Sequence, residues 1–160
     1  MNHAQTLDGL IDKSDISDLI HAYCFHFDRA EHDAVIDLFT GDALIDYGPD
    51  VPPMSGQSEF GPMIERGLTD LFAATSHHVS NITIRFDGPD AATSTCYLYA
   101  WHRYRDRPET SELWGQYHHT FRRTAAGWKI SRLVLCAAGT ENFHRKNMHP
   151  IGRRHAESQT

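Results

Sequence analysis

Four consecutive runs rich in Val, Ile, Thr and aromatic residues, near 76–87, 92–105, 111–124 and 127–138, constrain this 160-residue chain more than any other feature. They are joined by Asp87-Gly88-Pro89-Asp90, Asp106-Arg107-Pro108-Glu109 and Ala125-Ala126-Gly127. A parallel crossover needs a dozen residues or more, so connections this short force antiparallel neighbours. About two-fifths of the chain is thereby committed to one meander.

The residues before the meander read as helical. Ile16, Leu19, Ile20, Tyr23 and Phe27 recur at three- and four-residue spacing and define one buried stripe, with Ser14 as the predicted N-cap and Asp15 and Asp18 in the first turn. A second short helix is predicted over 33–39, carrying Val35, Leu38 and Phe39, and ALIDYG after Thr40-Gly41-Asp42 is predicted as a short strand. The stretch 49–56, with three prolines and a glycine, is a predicted loop. A third helix is predicted over 58–73, with Pro62 in its first turns and Phe60, Ile64, Leu68, Leu71 and Phe72 turned inward. Three helices followed by a meander make an α+β fold, with the helices packed on one face of a curved, mostly antiparallel sheet. The expected domain spans residues 1–138, and 139–160 reads as a polar tail.

A net charge of −6 and the absence of a basic block interleaved with aromatics exclude nucleic acid and anionic membrane as natural partners. Arg145, Lys146, Arg153 and Arg154 form the one basic cluster, which reads as a solvated tail. Cys24, Cys96 and Cys136 are odd in number and show no CxxC, the usage of a reduced, cytoplasmic protein. The N-terminal residues are acidic and lack an apolar core of the signal-peptide kind.

Asp28, His77 and His102 are the candidate chemical groups. Asp28 closes the first helical run and flanks its apolar stripe, which also suits a plain helix-terminal acid. His77 and His78 are adjacent on a strand and so point to opposite faces. Alternation puts His102 with Cys96, Leu98 and Ala100, and puts Tyr97, Tyr99 and Trp101 on the other face. A histidine among small apolar residues suits a pocket wall or a packed core equally. A carboxylate that accepts from one imidazole nitrogen sets the tautomer and frees the other nitrogen as a base. Tyr47 is a candidate hydrogen-bond donor to a ligand carbonyl, and Tyr23, Phe27, Trp114 and Tyr117 are aromatic candidates for a substrate wall. The doublets His77/His78 and His118/His119 split across faces, and neither HExxH nor His-x-His occurs, so no metal site is expected. GxSxG and phosphate-cradling glycine loops are also absent.

The order of elements resembles the SnoaL-like group of the nuclear-transport-factor-2-like cone fold, and within it scytalone dehydratase, over roughly residues 12–138. The carriers of the resemblance are Tyr23 to Asp28 (YCFHFD), LFTGDALIDYG, Ser76 to Asn81 (SHHVSN), FDGPDAATSTCY, His102 with Tyr104-Arg105-Asp106, and Gly127 to Ile130 (GWKI). Asp28, His77, His102 and Tyr47 match the dehydratase's catalytic aspartate, its two histidines and one of its two water-holding tyrosines. The dehydratase's other tyrosine is replaced by Phe27, and its polar serine and asparagine fall on Gly115 and Tyr117. The last-strand arginine of the related dehydrochlorinases falls on Leu133, which is therefore a substrate-binding candidate.

The resemblance implies a cone-shaped α+β barrel and a cofactor-independent lyase. Such an enzyme would eliminate water from a small hydroxy-carbonyl substrate of polyketide or terpenoid type, with Asp28 and His77 as the dyad. A non-catalytic ligand-binding or structural subunit, or an isomerase, cyclase or hydrolase built on the same dyad, stays open. It further implies a homo-oligomer, a trimer or dimer, formed through the outer sheet face that carries Tyr97, Tyr99 and Trp101. The tail, with Phe143 and Met148, would cover the pocket as a lid.

Overall fold

Strand pairing of the meander sets the architecture of the computed structural model, which describes residue 3 and residues 6–152. The elements are α1 (Leu7–Asp28), α2 (His32–Asp37), β1 (Phe39–Asp46), β2 (Met54–Ser55), α3 (Gln57–Arg66), β3 (Phe72–Phe86), β4 (Ala91–Tyr104), β5 (Thr110–Thr124), β6 (Gly127–Glu141) and β7 (His149–Pro150). The seven strands form one sheet in the order β2-β1-β6-β5-β4-β3, with β7 also on β6. β3 to β6 pair antiparallel throughout, and β1 and β7 run parallel to β6. Register shifts between Ser80 and Thr83, and again between Trp114 and Gly115, bend the sheet into a cone around the helices. Gly115 is required at its shift, because a Cβ there would collide with the Cys136 carbonyl oxygen.

α1 is capped eight residues ahead of the predicted cap at Ser14. Thr6 caps it, accepting from the Gly9 N–H at 3.1 Å. Leu7, Leu10 and Ile11 are exposed, so the first turns carry no buried apolar stripe to read. Their anchor is polar: the buried Asp12 accepts from Trp128 Nε1 at 2.9 Å and from Arg123 Nη2 at 2.5 Å. The third predicted helix is shorter than expected. α3 stops at Arg66, a π-helical turn covers Gly67–Leu71, and Phe72 opens β3. Phe39, expected to end α2, opens β1 instead.

The core sits between α1, α3 and the concave sheet face, with Ile16, Ile20, Phe60, Ile64, Ile45, Phe121 and Leu133 fully buried. On β4, Cys96, Leu98, Ala100 and His102 are buried, while Tyr97 is half exposed on the convex face. The three cysteines are free thiols. Among the described residues no helix is long and apolar enough to cross a membrane.

The segment after Gly139 is not the solvated tail its composition suggests. β6 continues to Glu141, and Asp50 accepts from the backbone N–H groups of Lys146 and Asn147 at 2.6 and 2.9 Å. His149 Nε2 pairs with Asp46 Oδ1 at 2.8 Å beside β7. Arg145 is packed over the Tyr47 ring rather than solvated. Arg153 and Arg154 lie outside the described residues.

Candidate active site

The last residue of α1 and the first half of β3 meet at an acid–imidazole contact. Asp28 Oδ1 accepts from His77 Nδ1 at 2.6 Å and from the Thr75 hydroxyl at 2.7 Å, and Asp28 Oδ2 accepts from the His77 backbone N–H at 2.8 Å. Two of these bonds come from the same residue, so the carboxylate holds both the strand and the ring. Burial alone would push the Asp28 carboxyl upward. The bonds from the His77 ring, its backbone N–H and Thr75 outweigh that and hold it below its ordinary range. Asp28 therefore stays ionised and accepts the Nδ1 proton, so the tautomer of the neutral His77 ring that this contact favours carries its lone pair on Nε2.

His102 packs edge-on against His77, with ring centroids 5.5 Å apart, and stacks on Phe72 at 4.9 Å. Burial, and next the neighbouring His77 and His144, push its pKa down to about 3, so it is a neutral imidazole. Its Nδ1 lies 3.3 Å from Ser111 Oγ. Ser111 Oγ lies 2.9 Å from the Tyr104 hydroxyl, which lies 3.0 Å from His144 Nδ1. A chain of hydrogen bonds therefore joins two cavity imidazoles through β4 and β5.

These groups border a cavity of about 530 Å³ whose other walls are largely apolar. Asp28 Oδ1 and Oδ2 are turned to His77, and the His77 side chain is 5 % exposed. Tyr23 and Tyr47 share a hydrogen bond of 2.6 Å between their hydroxyls, with Tyr117 edge-on to Tyr23 at 5.6 Å. Phe27 sits between Tyr23 and His77, with centroid distances of 5.9 and 5.2 Å. Six of the candidates from sequence, Tyr23, Phe27, Tyr47, His77, His102 and Tyr117, therefore line one cavity, with Asp28 behind His77.

Two candidates do not belong to it. Trp114 is 43 % exposed on the convex face, next to Tyr99, because β5 turns its odd-numbered residues inward. Leu133 is fully buried in the core as the register partner of Ile45, and Leu135, two residues along β6, reaches the cavity in its place. Gly115 is likewise a packing position at the β5–β6 register shift.

Ser111, Tyr104, His144 and Arg145 were missed. Ser111 had a signal, since it is the register partner of His102 across the β4–β5 hairpin. His144 and Arg145 had none, because they reach the cavity from a segment without periodicity.

The SnoaL-like domain family accounts for residues 8–134 of the chain. An uncharacterised protein of Mycobacterium tuberculosis is 29% identical over 128 residues, covering 77% of this chain and 83% of its own. A crystal structure from Novosphingobium aromaticivorans, provisionally assigned as a scytalone dehydratase, superposes with a TM-score of 0.86 at 29% identity, covering 92% of this chain and 98% of that one. A type 3 hexachlorocyclohexane dehydrochlorinase of Novosphingobium barchaimii shares the fold at a TM-score of 0.77 and 14% identity, covering 91% and 99%. Small-molecule-converting enzymes thus use this fold, and the chain belongs to the SnoaL-like domain family.

Proposed function

We propose that the protein is a cofactor-independent lyase that removes water from a small β-hydroxy-carbonyl compound, with Asp28 and His77 as its acid–base dyad. The observation that carries this reading is the Asp28–His77 contact at 2.6 Å in the wall of an apolar cavity that also holds His102. His77 Nε2 takes the proton from the carbon alpha to the carbonyl, and the imidazolium so formed is stabilised by ionised Asp28. The electron pair left on carbon forms the new C=C bond as the β C–O bond breaks, and the departing hydroxyl takes the proton from the His77 imidazolium to leave as water, which returns the dyad to its starting state. His102, neutral in its buried position, donates a hydrogen bond to the carbonyl oxygen. The Tyr23–Tyr47 hydroxyl pair has two protons and spends one internally, so one remains for substrate oxygen.

The dehydrochlorinase and the provisional dehydratase on the same fold lend support, since both names describe eliminations. The test is a panel of β-hydroxy-carbonyl compounds, with and without a carboxylate on the body, followed by appearance of the conjugated enone chromophore. Wild-type protein is expected to turn over at least one member, and His77→Ala and Asp28→Asn are expected to lose about 10²-fold or more of that turnover while keeping their circular dichroism. A folded His77→Ala variant with wild-type turnover would remove the dyad from the reaction.

A further inference from the structure

Arg145 is a half-buried cation in the cavity wall with no role in the elimination chemistry, and its surroundings specify a ligand. It enters from the segment between β6 and β7, which Asp50 and Asp46 pin to the rim through Lys146, Asn147 and His149. One guanidinium N–H donates to the Tyr47 backbone carbonyl at 3.0 Å, and the guanidinium carbon lies 5.1 Å from the centre of the Tyr47 ring. A guanidinium has five N–H donors in a planar fork. Among the described residues no carboxylate lies within 4.0 Å of it, so its charge is uncompensated at contact range. Asp50, the nearest acid to influence it, already accepts three hydrogen bonds from Lys146 and Asn147. Burial weakens the hold of Arg145 on its proton, and Tyr47, Tyr23, Tyr117 and Asp50 only partly offset this.

The other donor available here is the spare proton of the Tyr23–Tyr47 pair, which stands beside the same guanidinium. The remaining walls are mainly apolar, Phe27, Met63, Leu71 and Phe72 among them, with the imidazoles of His77, His102 and His144 and the already engaged carboxylate of Asp50. A half-buried fork of N–H donors and one phenol O–H in a largely apolar hollow fits a planar oxyanion on an apolar body. The exposed pair at the mouth, Arg66 and Asp70, carries opposite charges and adds no net preference.

We infer that the cavity takes an organic monoanion, a carboxylate on an aromatic or alicyclic body, with Arg145 as the residue that binds the carboxylate. The inference rests on the lyase reading only in treating this cavity as the substrate's, and it names the substrate class: a hydroxy-carbonyl acid rather than a neutral ketone.

The experiment compares 2-naphthoate with its neutral isostere 2-naphthamide by fluorescence titration and thermal denaturation. Wild-type protein is expected to bind naphthoate about tenfold or more tightly than naphthamide, and naphthoate alone is expected to raise its Tm. Arg145→Gln is expected to lose about tenfold of naphthoate affinity while naphthamide affinity stays within about twofold, and Arg145→Lys to keep part of the difference. Equal wild-type affinity for the two probes, binding of neither, or an Arg145→Gln variant that weakens both alike would each overturn the inference. The wild-type comparison stands even if Arg145→Gln fails to fold. That comparison also separates the two ideas, because preference for naphthoate over naphthamide is a binding readout that does not depend on whether the dyad is catalytic.

Discussion

His102 and Ser111 face each other as register partners across the β4–β5 hairpin, with 3.3 Å between Nδ1 and Oγ. Ser111 has one hydroxyl proton and two neighbours for it, His102 on one side and Tyr104 on the other. When Ser111 donates to Nδ1, the proton of His102 resides on Nε2, the nitrogen left for the cavity. Because His102 is held neutral, with its pKa pushed down to about 3, the tautomer decides whether it can donate at all.

Removing the hydroxyl should therefore damage the chemical step more than binding. Ser111→Ala is expected to lower kcat by about tenfold with KM changed by less than about twofold, a split read from steady-state kinetics. An unchanged kcat would mean that the hydrogen-bond chain to His144 has no part in the reaction.

Two deeply buried imidazoles make stability depend on pH. Burial pushes His102 and His119 each down to about 3 from an ordinary value of 6.5. Between those values the unfolded chain binds protons that the folded chain refuses, so stability is fully present above pH 6.5 and falls as the pH drops. His119 Nδ1 lies 3.0 Å from Ser94 Oγ, and among the described residues its Nε2 has no partner. His119→Phe should remove about one proton, or about 1.4 kcal/mol per pH unit, from the slope of urea-unfolding stability between pH 6 and pH 4.

Ala30 holds φ at 54°, the left-handed region that a side chain disfavours, in the turn that ends α1. The turn is made by Ala30 N–H to the Phe27 carbonyl at 3.0 Å and Glu31 N–H to the His26 carbonyl at 2.9 Å. Ala30→Gly relieves that conformation two residues beyond Asp28. It should raise unfolding stability by about 0.5 kcal/mol, with turnover unchanged, as measured by urea denaturation.

Asp12 ties α1 to the far end of the meander through Arg123 and Trp128, and also pairs with His3 ahead of the helix. Burial would raise its carboxyl, but the bonds from those three hold it down at about 2. Its contribution is present above the ordinary value of 3.8 and is lost as the pH falls toward 2. Asp12→Asn keeps the shape and removes the charge, and at pH 7 it should cost about 2 kcal/mol, seen as a lower urea midpoint.

How much of this was legible beforehand follows from range. Strand alternation is a local property, so the inward face of β4 and the opposed faces of His77 and His78 could be read from spacing. The meander follows from three short turns, and the stripe from Ile16 to Phe27 marks the helix that delivers Asp28. Alternation on β5 also excluded one of Trp114 and Tyr117, which differ in parity, although only packing identified Trp114 as the outer one.

The remaining features depended on where separate elements come to rest. Leu133 and Leu135 share a face of β6, and the position of the helices decides which borders the cavity. The contact of Asp28 with both the ring and the backbone of His77 joins residues 49 positions apart, a distance no periodicity reports. Arg145 reads as a solvent-facing charge in every local window, yet Asp50 and β7 pin its segment against the rim and bring its guanidinium over Tyr47. Local pattern fixes which way a side chain points within its own strand or helix; only the closing of the chain on itself sets which side chains share a dry space, and the chemistry of the cavity depends on that second fact.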